Sequence, residues 1–397
     1  MKARWLTCLA CIAAACASTE SGEVRDDRTE EVPAPDAATS LDGGLDAPTN
    51  ESGTGPCDDC EYFPEVCSPD AFCPNGPFDW EQSTAKLDSR TTIMTIRGRS
   101  RTDVWAAGTE GALAHFDGTS WTNVSLDNQE TMRALWVRDS SEVSLVGLSR
   151  LYARGVDIPD GGAVSPDGKW GLFSPSYAAG EAPFLSDIFT TAWAAPSAEW
   201  LWCGALGFGG GLWRIRQSAS GPFEGAFGIS KTRCGVVGCA KVSSIHGWSP
   251  NDLWVVGPSG ATVRIADAQG ETPAATAYNS QTLSALSGVW AASATQAWSV
   301  GAAGTIRHYA GDPLLWDIVT DVPTESNLNA VSGSSPSDVW AVGDDGVVLH
   351  FDGASWSRVK IAGVGRLRPK LTTVWVAEPG HVWIGGHGVI LSLEGQP

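Results

Sequence analysis

One short phrase, apolar in the middle and closed by glycine, recurs from residue 92 to the end of the chain, and it limits the possible folds more than any other feature. Its clearest copies are DVWAAG at Asp103–Gly108 and DVWAVG at Asp338–Gly343. DLWVVG (Asp252–Gly257), QAWSVG (Gln296–Gly301) and HVWIGG (His381–Gly386) follow the same plan. EVSLVG (Glu142–Gly147) and EWLWCG (Glu199–Gly204) keep the position and lose the tryptophan at its third place. The terminal glycines stand 39, 57, 53, 44, 42 and 43 residues apart. That period fits one blade of four antiparallel strands, so the copies predict an all-β, seven-bladed β-propeller.

The sixth copy can be read strand by strand. Leu328–Gly333 is the inner strand and Asp338–Val342 the second, Gly343–Gly346 turns the chain, and Val347–Phe351 alternates as the third. Asp352-Gly353 then supplies a hairpin turn before the outer strand Ser355–Val359. The Gly-x-x-Gly turn repeats at Gly108/Gly111, Gly257/Gly260 and Gly301/Gly304. The 46 glycines thus serve turns, and the 19 tryptophans are expected to pack between neighbouring blades. The last copy stops after its third strand, at Ile390–Leu393, while a spare outer-strand phrase, Phe78–Gln82, precedes the first copy. An N-terminal strand is therefore expected to complete the seventh blade and remove its exposed edge, giving a propeller over 78–397. These copies resemble the propellers of bacterial envelope proteins with Asp-box-like or photosystem-assembly-factor-like repeats, and the resemblance implies the fold.

Residues 1–15 read as a signal peptide. Lys2 and Arg4 make a basic start, an apolar run follows from Trp5, and Ala13, Ala14 and Ala15 precede Cys16. The arrangement resembles the lipobox of bacterial lipoproteins, which implies lipid attachment at Cys16; Cys11 is the other candidate. Residues 16–56 hold almost no large apolar side chain and form a disordered tether of roughly 35 Å span. Between Ala17 and Glu81 lie 17 acidic residues against Arg25 and Arg28, so most of the net charge of −19 belongs to the tether and its junction. Nucleic-acid binding by the folded part is not expected. The expected location is the outer membrane, on its periplasmic or cell-surface side, with the N-terminal lipid as the membrane contact.

Cys57, Cys60, Cys67 and Cys73 crowd into a junction over 57–77. Their second pair is too widely spaced for a zinc ribbon, and an exported chain favours disulfides. Cys234 and Cys239 flank a loop short enough for a local bridge, which leaves Cys203 as a buried apolar residue.

Chemistry is sparse. His115, His308 and His350 occupy one place in the third strand of three copies, so they belong to the repeat and do not converge on a metal. The chain has no G-x-S-x-G, Walker or dinucleotide motif, and its tyrosines and arginines do not match a sialidase. No catalytic residue, metal or cofactor is assigned. Extra length at Tyr152–Pro183 and Ser218–Gly238 offers docking loops, with Trp170, Phe173, Tyr177 and Phe184 as candidate anchors for an envelope protein or glycan. The expected function is a non-catalytic binding or scaffold module, acting as a monomer. The alternative, a glycosidase, requires two carboxylates within about 10 Å in a central cleft.

Overall fold

The computed structural model describes residues 59–78, 87–184, 187–207, 210–218 and 221–393. The signal peptide, Cys16, the tether and Cys57 lie outside them, as do residues 79–86.

Seven separate sheets form the seven blades. Blade one is built from Ile93–Ser100, Asp103–Gly108, Leu113–Phe116 and Trp121–Asn123, paired antiparallel in sequence order. Blades two to six repeat this order within 134–173, 188–229, 244–279, 286–318 and 328–358. Each inner strand touches the inner strands of both neighbours, and that of blade seven, Leu371–Glu378, touches that of blade one. The array therefore closes into a ring.

Closure uses a different strand from the one expected. Ala71–Pro74 lies antiparallel to Val389–Ser392, with Cys73 opposite Ser392 and Pro74 opposite Leu391. Lys360–Ile361 then runs parallel beside it as a fifth strand. Phe78 is not in a strand, and the rest of the expected segment Phe78–Gln82 lies outside the described residues. The choice has a physical reason: Ala71, Phe72 and Cys73 are all buried, and Phe72 packs edge-on against Trp340 of blade six at 5.4 Å. Half of the cysteine-rich junction is thus propeller.

The Gly-x-x-Gly turns share one geometry. At Thr109–Ala112, Pro258–Ala261, Ala302–Thr305 and Asp344–Val347 the two central residues have positive φ, as in a type I′ hairpin. At Gly304 glycine is required twice over. Its φ is +63°, and a Cβ there would stand 2.1 Å from the carbonyl oxygen of Thr324, on the link to blade six.

The core sits between blades. Seven apolar clusters each join two neighbours, and six of them contain a consensus tryptophan. Trp105 meets Trp170 of blade two, Trp254 meets Trp316 of blade five, and Trp298 meets Phe351 of blade six. Trp383 completes the circuit against Phe116 and Trp121 of blade one. Such pairs contribute about 0.5–1.5 kcal/mol each beyond the area they bury.

Strand register also corrects the third copy. Trp193 pairs with Trp202 as Arg97 pairs with Trp105, so Trp202 holds the consensus tryptophan place and Ala205 that of the terminal glycine. Blade three therefore keeps the tryptophan that its phrase EWLWCG, aligned on Gly204, had lost. Blade two does lack it, with Ser144 there facing Tyr152.

Candidate functional site

A propeller's inner strands bring seven versions of one position around its axis. Opposite the consensus tryptophan place, blades one to four carry Arg97, Leu135, Trp193 and His246. Blades five to seven carry Trp290, Ser332 and Trp375. The backbone repeats while the side chains do not, so the ring is symmetric in shape and asymmetric in chemistry. Except for Trp290, these residues line a central cavity of about 380 Å³ to which all seven inner strands contribute.

Side chains tie the inner strands together, because adjacent ones belong to different sheets. His246 Nδ1 accepts from the Ala291 amide at 3.1 Å, and Ser244 Oγ accepts from the Val289 amide at 3.3 Å. Thr372 Oγ1 donates to the Ile93 carbonyl across the junction of blades seven and one. His246 also faces the rings of Trp193 and Trp290, at 4.8 and 6.2 Å. Burial, with the nearby Arg97 charge, pushes its pKa down to about 3, so at neutral pH it is uncharged.

Among the described residues that line the cavity there is no Asp or Glu. One carboxylate bonded to a lining residue is Asp344, which accepts from Asn329 at 2.9 Å and from Asn327 at 3.0 Å, and pairs with Lys370. The carboxylate pair that the glycosidase reading requires is not in this lining.

The repeat histidines have structural work. His115 stacks on Trp105 at 4.2 Å and hydrogen-bonds Asp103, and His350 stacks on Trp340 at 4.0 Å and bonds Asp338, each bond 2.8 Å long. His308 repeats this on Trp298 with Gln296 as partner. In blade four Arg264 takes the histidine's place over Trp254 and pairs with Asp252. No group of His, Cys, Asp and Glu that could hold a metal ion occurs among the described residues.

The four candidate anchors do not form a patch. Trp170 and Phe173 are buried in the outer strand of blade two, which removes them from any docking surface. Tyr177 lies in Ser176–Tyr177, added parallel to Phe223–Ile229 as a fifth strand of blade three, and its hydroxyl donates to the Leu148 carbonyl at 2.6 Å. Phe184 alone is exposed, at 60%. The extra length was mostly folded into the blades: Ser218–Gly238 contains that outer strand and a helix, Lys231–Val237, N-capped by Ser230.

Disulfides join Cys67 to Cys73 and Cys234 to Cys239, with Cα separations of 5.9 and 4.4 Å. Cys60 is disulfide-bonded as well. Cys203 is free and fully buried, and burial pushes its thiol pKa far up, which keeps it a core residue.

Sequence reasoning missed Arg97 and Arg133, both in the channel lining. The available signal for Arg97 was a charge at a place where the other copies carry leucine, tryptophan, histidine or serine.

No family model matches the chain, and no curated protein matches it. Among solved structures it is similar to YCF48 from Cyanidioschyzon merolae, with 12% identity and a TM-score of 0.59 over 78% of this chain and 96% of that one. It is similar to YCF48 bound to D1 peptide, at 14% identity and TM-score 0.54 over 83% and 96%. Chaetomium thermophilum Sqt1 bound to the N-terminus of the ribosomal protein L10 is similar at 13% identity and TM-score 0.52, over 81% and 98%. At these identities the likeness is one of fold, and it fits the photosystem-assembly-factor-like repeats read from the sequence.

Proposed function

We propose that the chain is an exported, lipid-anchored recognition module that holds a protein segment at the bacterial outer membrane without transforming it. The observation that carries this reading is the channel: seven inner strands present aromatic rings and hydrogen-bond donors around one axis, with no carboxylate among the described lining residues. Support also comes from two solved propellers of like fold, one bound to a D1 peptide and one to the N-terminus of a ribosomal protein. Residues 1–15 are removed on export, Cys16 carries the lipid, and 16–56 let the propeller reach away from the bilayer.

Crosslinking the full chain in intact cells, with Cys16→Ala as the control, tests the reading. One discrete protein partner, lost or depleted in the control, is the expected result. Equal recovery from both forms would remove the anchor from the mechanism. Hydrolysis of a glycan by the purified propeller would overturn the non-catalytic reading.

A further inference from the structure

The channel collects donors that the fold does not use. Arg97 of blade one keeps its charge at neutral pH although burial pushes its pKa down to about 10. Its hydrogen bond, from Nη1, goes to the carbonyl of its own neighbour Ile96 at 2.7 Å. Arg133, one blade on, lines the same cavity, and neither guanidinium has an acidic partner among the described residues. His246 accepts at Nδ1, so its proton sits on Nε2 and leaves that atom a donor.

These three groups come from blades one, two and four: Arg97 and His246 stand in inner strands, and Arg133 directly precedes one. A guanidinium enclosed without a counter-charge is costly to keep away from water. Two such charges and a neutral imidazole donor in one lining suit an acceptor with negative charge. The cavity's size is at the lower end for a small-molecule site, and Trp193 gives it an apolar wall.

We propose that the channel binds a small organic carboxylate, its oxygens taken by Arg97 and Arg133 and its carbon body laid against Trp193. The site goes beyond the envelope reading and does not depend on it, since it needs neither the lipid nor a protein partner.

The test uses the mature chain and four probes, acetate, succinate, citrate and benzoate, each against its neutral amide at constant ionic strength. Tryptophan fluorescence and the midpoint of thermal unfolding are the readouts. At least one carboxylate should bind saturably and raise the midpoint while its amide does neither. Arg97→Gln and, separately, Arg133→Gln should each weaken that carboxylate by about tenfold or more, as expected for losing a charged hydrogen-bond partner. Arg101→Gln, outside the lining and paired with Glu378, should leave it unchanged. Because Arg97→Gln can fail to fold, Arg133→Gln carries the same question independently. Equal response to acids and amides, or full affinity in both arginine variants, would overturn the proposal. Equal binding of inorganic sulfate would overturn the carboxylate assignment. Failure of the full chain to crosslink any partner in cells, with carboxylate binding intact, would instead count against the envelope reading alone.

Discussion

A histidine enclosed by tryptophan rings and an arginine is committed to one protonation state, and that makes His246 a stability switch. Its folded pKa is about 3 against 6.5 when unexposed to the fold, so as pH falls the unfolded chain takes up a proton first. Its contribution is complete above pH 6.5 and is lost progressively from there toward pH 3. Between pH 6.5 and about 5 the loss from this one group is about 2 kcal/mol. Urea unfolding across that range should show His246→Gln with a shallower pH dependence than the parent; equal slopes would mean that other groups dominate. The type I′ turns offer a second pair of single-residue outcomes. Gly304→Ala should destabilise by about 2 kcal/mol or more, since the new Cβ meets both positive φ and the Thr324 carbonyl. Ala303→Gly, one position earlier at φ +51°, should be neutral or stabilise by up to about 1 kcal/mol, because it relieves a left-handed alanine. Thermal unfolding of the two variants should move in opposite directions.

At the scale of elements, the strand Ala71–Pro74 repays attention because it is short and decisive. Phe72→Ala removes a ring packed between blades six and seven and should cost about 3–5 kcal/mol. Removing the Cys67–Cys73 bridge should also lower the unfolding midpoint, which a Cys67→Ser, Cys73→Ser variant measured without reductant against the parent checks while the other bridges stay intact. The same strand shows where sequence reading stops. The second strands were legible because tryptophan and glycine recur there for reasons of packing and turn geometry that every blade shares. Ala71–Pro74 has too few residues for alternation to register, and its cysteine drew the segment into a separate plug. Phe78–Gln82 carried an outer-strand tryptophan pattern, and pattern alone does not say which strand wins the edge. In blade three a one-residue slip hid Trp202, because Gly204 imitates the terminal glycine whose place Ala205 occupies. The anchors failed for a related reason: Trp170 and Phe173 are the aromatic residues of an ordinary outer strand, displaced in sequence by the long loop before them. The channel arginines were hard to read because their meaning depends on the ring, which turns single inner-strand positions into the lining of one cavity.

The whole molecule is a repeat array whose cores lie between units, so its stability belongs to interfaces more than to blades. Closing the array adds the seventh interface, between blades seven and one, where Trp383 meets Phe116 and Trp121. A chain starting at Asn75 would leave Val389–Ser392 as an open edge. Such a protein should unfold at lower urea and associate through that edge, visible as a concentration-dependent shift on size-exclusion chromatography; a monomer of unchanged stability would show that closure contributes little. Closure also sets how the propeller carries mechanical load. Tension arriving along the chain from its N-terminal side reaches Cys67, crosses the disulfide, and enters the sheet at Cys73, opposite Ser392. Residues 68–72 are bypassed, so the strand cannot be peeled back one residue at a time from its leading end. The bridge works as a clasp, and a reduced protein pulled from that end should open at lower force than an oxidised one.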